Sequence, residues 1–200
     1  MAKRGGRLAP PSTTYCGGKL TGDVEVDEAL IGGVEHGGKR GRGAKKCIVA
    51  IAVEVKRPKG FGRIRMRYTP DASDSSLRPF VCDMVDPDNL TVRTDGWKGY
   101  NRLSKCGYTH KKIILSSSGT LAHVAIPSVH RVASLLKRWI LGTHQGSVSE
   151  AHLQSYLEEF TFRFNRRTSR SRGLVFRRLL EQMVATGPIT EADLTHGYDW

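Results

Sequence analysis

The chain has 200 residues, of which 38% are hydrophobic and 8% aromatic, which suits one ordinary globular domain with its own core. Lys and Arg number 32 against 19 Asp and Glu, giving a net charge of +13. A field of this sign attracts polyanions, and nucleic acid is the usual one. No apolar run approaches the roughly 20 residues that cross a bilayer, so we expect no membrane partner.

The cysteines indicate the compartment and exclude one kind of metal site. Cys16, Cys47, Cys82 and Cys106 are scattered and form no CxxC pair, so a zinc ribbon is excluded. We interpret them as reduced and mostly buried. That pattern predicts a cytoplasmic protein, associated with the nucleoid when it is bound to DNA.

The first part of the chain predicts a basic arm followed by strands. Residues 1–20 are rich in Gly, Pro, Lys and Arg and lack a hydrophobic period, so we expect a flexible basic arm. DVEVDEALIGG, CIVAIAVEV and GRIRMRYTP then predict three consecutive strands, as in a meander. The loop GGKRGRGAKK between the first two lacks the layout of a phosphate-binding loop. We interpret it as a basic turn that touches DNA backbone.

The remaining elements predict an α/β fold. ASDSSLRPFVCDMV is typical of a short helix with Ser and Asp at its start. NLTVRTDGW predicts a fourth strand that ends at an Asp-Gly turn, and HKKIIL a fifth. Three helices follow, over residues 127–141, 149–167 and 172–186, with Ser149 as the N-cap of the second. This order predicts a sheet with helices packed on its faces.

Two aspartates stand among apolar residues on predicted strands. Asp27 lies within VEVDEALI, and Asp95 ends TVRTD. A carboxylate in such surroundings is costly unless a cation lies beside it. If the strands are neighbours, both carboxylates face one point, where Mg²⁺ or Mn²⁺ would relieve their repulsion. Taken singly, each aspartate better fits a turn or surface position, so the hypothesis depends on the pair.

The helix predicted over residues 127–141 has an apolar face and a polar stripe beside it. The apolar face, at helical spacing, consists of Val129, Val132, Ala133, Leu136 and Ile140. His130 and Lys137 are two turns apart and point within about 20° of each other. Near an acidic pair, His130 becomes a candidate metal ligand. The alternative is an ordinary surface or boundary histidine.

The next helix carries charged residues beside its apolar face. Glu159, Arg163 and Arg166 share one face, and the alternative for the first two is a simple i,i+4 salt bridge. The segment RFNRRTSRSRG adds arginines interleaved with Ser and Thr, a composition suited to phosphate oxygens. A solvated charge run remains the alternative. The candidate DNA-contact residues are Lys137, Arg138, Glu159, Arg163, Arg166, Arg167, Arg170 and Arg172.

These segments resemble a known family. GDVEVDEALIGG, VRTDGWKGYNRL, VASLLKRWILGTHQGSVSEAHLQSYLEEFTFRFNRRTSRSRG and FRRLLEQMV match, in order, the IS1595 insertion-sequence transposases, in particular the ISXO2-like DDE transposase domain. The resemblance runs from about residue 20 to about residue 186. It implies an RNase H-like fold with a mixed five-stranded sheet, and a site for two Mg²⁺ or Mn²⁺ ions. The implied activity is DNA strand cleavage followed by strand transfer.

The resemblance also implies roles for individual residues. Asp27 and Asp95 take the places of two family aspartates, and Lys137 that of the lysine after the third acidic position. Glu159, Arg163 and Arg166 fit a family glutamate–arginine–arginine pattern. The implied partners are insertion-sequence ends and target DNA, bound by a homo-oligomer. The catalytic set is then Asp27, Asp95, His130 and Lys137, with the first three as metal ligands.

Two departures from the family pattern bear on activity. Position 130 is histidine in place of the usual glutamate, and Glu159 is the competing third ligand. Relatives also carry a zinc ribbon and a helix-turn-helix region that this chain is expected to lack, since residues 1–20 form the arm, 21–187 the catalytic domain and 188–200 a tail. The alternatives are an inactive DNA-binding remnant and a nuclease of the same fold.

Overall fold

The computed structural model describes residues 18–32, 46–56, 58, 60–89, 91–113, 126–145, 148 and 150–185. Five strands and four α-helices lie in these ranges, besides three short 3₁₀ helices. The strands are β1 (Val24–Ile31), β2 (Cys47–Val55), β3 (Phe61–Thr69), β4 (Thr91–Asp95) and β5 (Thr109–Ile113). The helices are α1 (Asp74–Met84), α2 (Pro127–His144), α3 (Glu150–Asn165) and α4 (Arg172–Ala185). All nine elements were predicted from the sequence, with ends that differ by a few residues.

The strands form one mixed sheet in the order β3-β2-β1-β4-β5. β1, β2 and β3 are an antiparallel meander, whereas β4 is parallel to β1 and β5 is parallel to β4. This order and these directions are those of the RNase H-like fold, so the predicted fold class is confirmed. β1 lies at the centre, where the sheet changes from antiparallel to parallel pairing.

Alternation along the strands builds a separate core on each face of the sheet. On one face, Ala29 and Ile31 of β1 pack with the buried sides of α2 and α3. On the other, Val24 and Val26 of β1 pack with α1 and with the segment after β4. β2 is apolar on both faces because it is covered on both. The helices therefore flank the sheet as predicted.

Side chains of α3 cover the outer edge of β3. Asn165 accepts a hydrogen bond from Ile64 N (2.8 Å) through Oδ1 and donates from Nδ2 to Ile64 O (3.1 Å). Gln154 Oε1 accepts from Tyr68 N at 3.0 Å. These bonds satisfy backbone groups that a sheet edge otherwise leaves unpaired. They also fix α3 along β3.

Several predicted features differ from the structure or lie outside the described residues. The predicted arm extended to residue 20, yet Leu20 is fully buried and its N–H donates to Met84 O at 2.8 Å. The folded part therefore begins before residue 20. Residues 1–17, most of the basic loop 37–46, Ser149 and the tail 188–200 lie outside the described residues.

The three described cysteines are free thiols, as predicted, but they are half-buried rather than buried: Cys47, Cys82 and Cys106. Within the described ranges, no helix is both long enough and apolar enough to span a bilayer.

Candidate active site

The two predicted aspartates lie side by side on neighbouring strands. β1 and β4 are parallel, and their register pairs Val26 with Thr94. The next residue on each strand is Asp27 and Asp95, respectively. Parallel partners share a face of the sheet, so these carboxylates project toward the same side. The structure therefore brings the predicted acidic pair together.

A buried glutamate of β1 holds the start of α2 on this face. Glu25 is 1% exposed, and its Oε2 accepts hydrogen bonds from Ser128 N (2.7 Å) and Val129 N (3.0 Å). α2 has no side-chain cap at Ile126, so the strand provides one. Burial raises the pKa of Glu25, and the bonds from Val129 and Ser128 only partly oppose that rise.

The first turn of α2 places His130 beside Asp27. His130 Nε2 lies 3.8 Å from Asp27 Oδ2. This distance is longer than a hydrogen bond but short enough for a charge interaction or a shared cation. The Asp27 side chain is 14% exposed and that of His130 is 34% exposed. Both side chains border an opening on the surface, although the Nε2 atom of His130 itself is buried.

That opening is a cavity of about 250 Å³ between β1 and α2. Its polar lining is Asp27, Glu28, His130 and Lys137, and the rest is apolar. Lys137 lies two turns along α2 from His130, as predicted. Asp95 is not part of this lining and stands next to Asp27 along the sheet.

The side-chain types near Asp27 suit a divalent cation, although they do not form a complete coordination sphere. Carboxylates at adjacent strand positions and an imidazole near one of them are ligand types that Mg²⁺ or Mn²⁺ accepts. Among the described residues, however, no three His, Cys, Asp or Glu side chains are grouped closely enough to hold a metal ion. The metal site, and His130 as its third ligand, therefore stay predictions.

The segment after β4 is tied to β1 beside the acidic pair. Asp95 Oδ1 accepts from Trp97 N at 3.0 Å, and Trp97 Nε1 donates to Ala72 O at 2.7 Å. Tyr100 donates from its hydroxyl to Glu28 Oε2 at 3.1 Å. Burial raises the pKa of Tyr100 well above its usual value, and the charges of Glu28, Asp27 and Asp95 raise it further. The phenol therefore stays protonated and acts as a donor.

Comparison with known proteins identifies the family. Residues 19–165 match the model of the ISXO2-like transposase domain, which is more than half of the chain. The chain belongs to this family. The matched range includes Asp27, Asp95, His130 and Lys137. A search of curated proteins finds no match.

Solved structures also match the transposase domain. One is the cryo-EM structure of the simian T-cell lymphotropic virus intasome in complex with PP2A regulatory subunit B56 gamma. The identity is 12% and the TM-score 0.48, with 88% of this chain and 59% of that chain covered. The transposase domain thus spans 59% of the length of the chain that it matches.

The predicted DNA-contact residues differ in their exposure and in their contacts within the protein. Arg138, Arg170 and Arg172 are exposed, and so is Lys137. Arg163 is 63% exposed and pairs with Glu159 at 3.0 Å, so the i,i+4 salt bridge is confirmed. The guanidinium of Arg166 is half-buried and lies 3.8 Å from the centre of the Phe162 ring.

Arg167 has a structural role within the transposase domain. It donates to Phe61 O (2.7 Å), Phe164 O (2.8 Å) and Gly62 O (3.3 Å), and its guanidinium lies 4.0 Å from the Phe164 ring centre. Burial lowers its pKa. These bonds join α3 to β3, and the phosphate contact predicted for Arg167 stays a prediction.

Glu159, the competing third ligand, lies away from the acidic pair. α3 packs on β3 at the outer edge of the sheet, and Glu159 does not line the cavity that contains Asp27 and His130. Its carboxylate is half exposed and bonded to Arg163. The geometry brings Asp27, His130 and Lys137 together and leaves Glu159 apart.

Sequence reasoning missed two interactions at this site. Glu25 occurs two residues before Asp27, on the same face of β1, which is a signal that strand alternation contains. Its partner Ser128 is 103 residues away along the chain, so the bond itself was not predictable. Glu28 and Tyr100 also meet only through the fold, across 72 residues.

Proposed function

We propose that this chain is the catalytic domain of a DDE-type transposase that cuts DNA and joins the cut end to target DNA. One observation carries the proposal: Asp27 and Asp95 occupy adjacent positions on parallel strands, beside a helix that presents His130 and Lys137. Family membership agrees with it. The net charge of +13 suits a DNA substrate.

The chain's own residues would hold the cations and position the phosphate. Asp27, Asp95 and His130 would be the ligands, and Lys137 would bind a phosphate oxygen near the scissile bond. When bound, the two divalent cations supply Lewis-acid activation of the attacking and leaving oxygens. In cleavage, water attacks phosphorus and the 3′-oxygen departs; in strand transfer, that 3′-hydroxyl attacks a target phosphate and displaces its 3′-oxygen.

The first prediction concerns the acidic pair. Asp27→Asn and Asp95→Asn should each abolish Mn²⁺-dependent cleavage and strand transfer while leaving DNA binding nearly unchanged, because an amide is a poor ligand for a hard cation. Radiolabelled element-end DNA and a plasmid target measure both activities. Asp83→Asn is the matched control, since Asp83 is an exposed partner of Arg67; it should retain full activity.

The outcomes separate the proposal from its rivals. Full cleavage by either site variant contradicts the assignment. A wild-type chain that nicks DNA but never joins ends is a nuclease of this fold. One that binds DNA equally with and without Mn²⁺ and never cuts is an inactive remnant.

The second prediction concerns position 130. A neutral imidazole brings no negative charge and prefers softer metals than Mg²⁺. We therefore expect Mn²⁺ to support more activity than Mg²⁺. His130→Glu should keep activity and shift the preference toward Mg²⁺, whereas His130→Ala should lose most of it. Cleavage rates across a series of both metals test this.

Glu159→Gln is the matched control for the third ligand, because Glu159 lies outside the cavity. It should cleave at the wild-type rate. If Glu159→Gln is inactive and His130→Ala is active, the roles assigned to these two residues are reversed.

A further inference from the structure

We infer that Glu25 is a positioning residue of the candidate active site: by capping α2 from β1, it sets the separation between His130 and Asp27. The inference rests on the proposed function, because it concerns the geometry of that same site. Glu25 itself is directed at the backbone of α2 rather than at the cavity.

Glu25 joins the three elements that carry the site. It lies on β1, two residues before Asp27. Its register partner on β4 is Arg93, two residues before Asp95. Its carboxylate also accepts hydrogen bonds from the first two N–H groups of α2, those of Ser128 and Val129, which directly precede His130. One buried side chain thus links the supports of all three predicted ligands.

A local cap would not produce the same link. The first N–H groups of a helix need an acceptor, and a Ser, Thr, Asp or Asn at the N-cap usually provides it. Here the N-cap position is Ile126, a buried core residue. The acceptor comes instead from a strand, so satisfying the helix end also fixes α2 against β1. A carboxylate also complements the positive end of the helix dipole.

The cap acts where displacement would matter most. His130 lies in the first turn of α2, and its Nε2 is only 3.8 Å from Asp27 Oδ2. A shift of about 1 Å in such a site costs much of its function. Burying a carboxylate is itself unfavourable unless its hydrogen bonds compensate. The arrangement is therefore better explained by placement of α2 than by stability alone.

The test compares three variants of the full chain. Glu25→Ala removes the cap, and Glu25→Gln keeps an oxygen that can accept both amides. Leu77→Ala is the matched control, because Leu77 is buried in the core on the opposite face of the sheet and its loss destabilises the fold without touching α2. The readouts are amide hydrogen exchange at Ser128 and Val129, and Mn²⁺ affinity measured by titration calorimetry without DNA.

We expect Glu25→Ala to speed exchange at both amides and to weaken Mn²⁺ binding by at least about tenfold, the scale of lost outer-shell support, while Glu25→Gln stays within about twofold of wild type. Leu77→Ala should lower the melting temperature without changing Mn²⁺ affinity. If Glu25→Ala does not fold, Glu25→Asp, one methylene shorter, takes its place with the same expectation.

Three results would overturn the inference: wild-type Mn²⁺ affinity in Glu25→Ala, equal losses in Glu25→Gln and Glu25→Ala, or an equal loss in Leu77→Ala. A wild-type chain that binds no Mn²⁺ refutes the proposed function instead. In that case the exchange measurement decides the inference alone, and unchanged protection of Ser128 and Val129 in Glu25→Ala overturns it.

Discussion

At the scale of single residues, close packing around the turn after β4 makes Gly99 necessary. A Cβ at Gly99 would lie 2.7 Å from Ala72 O and 2.9 Å from Leu77 Cδ1. The first of these neighbours is backbone and cannot move aside cheaply. Trp97 Nε1 bonds to the same Ala72 carbonyl. The pattern DGWKGY thus encodes a tight contact beside Asp95 as well as the carboxylate itself.

Gly99→Ala should therefore destabilise the protein by roughly 1–3 kcal/mol, as overpacking does. Gly142 is the matched control, because nothing lies within 4 Å of a Cβ placed there and it sits within α2. Gly142→Ala should stabilise by about 0.5–1 kcal/mol, the helix preference for alanine. Urea unfolding of both variants measures the difference, and equal free energies of unfolding would contradict it.

Single residues also show what the sequence could and could not predict about the site. Asp27 and Asp95 were predictable because a carboxylate among apolar strand residues is conspicuous. His130 and Lys137 were predictable as a pair because helical spacing aligns them. The structural role of Arg167 was not predictable, since its acceptors on β3 lie 105 and 106 residues away.

At the scale of elements, a partly buried ion pair fixes the β2–β3 hairpin. Glu54 Oε1 accepts from Arg63 Nη2 at 2.6 Å, and Glu54 also accepts from Arg63 N and Thr21 N. Burial alone would raise the pKa of Glu54, but the bonds from Arg63 and Thr21 outweigh it and lower that pKa below 4.5. The pair therefore stabilises the folded state through the ionised carboxylate.

The ion pair makes the free energy of unfolding depend on pH. Because the pKa of Glu54 is lower in the folded state, its contribution is fully present above about pH 4.5 and is lost as pH falls through the folded value. Glu54→Gln should cost about 1–3 kcal/mol at pH 7, and the gap from wild type should shrink below pH 4.5. Free energies of unfolding across pH 3–7 test this; a gap independent of pH would contradict it. Asp83→Asn, at an exposed pair, should cost less.

Elements were easier to predict than their ends. Period-two alternation gave the strands, and the 3.6-residue period gave the helices, because both report which face is buried. The mixed five-stranded sheet was expected from the family resemblance, whereas the order of its strands was not predicted. The start of the folded part was misplaced because Leu20 looks like part of a basic arm until its bonds to Met84 and Asp86 are known.

At the scale of the whole molecule, the most conspicuous feature is the net positive charge. The chain carries +13. Exposed arginines lie on α3, in the segment after it and at the start of α4, and the half-buried Arg166 lies among them. If they neutralise phosphates, replacing Arg163, Arg166, Arg170 and Arg172 with Gln should weaken binding to all DNA sequences alike. Each lost contact should lower the slope of log affinity against log salt by about one. Fluorescence anisotropy from 50 to 200 mM salt, about the range that resolves such slopes, measures it.

Arg167→Gln is the control for this prediction, because Arg167 bonds to the backbone of β3 and α3. It should lower the melting temperature and leave the salt slope unchanged. An unchanged slope in the quadruple variant would show that the four arginines form an ordinary solvated face.

The covered edge of β3 has a consequence for how the protein behaves in solution. A bare outer strand is a template on which another polypeptide can add by backbone pairing, and such growth leads to aggregates. Here the amide and carbonyl of Ile64 and the amide of Tyr68 are already occupied by α3. An incoming chain must first displace a packed helix. Resistance to fibre formation on this side is therefore a property of α3, and loosening that helix would expose the template without altering any residue of the strand.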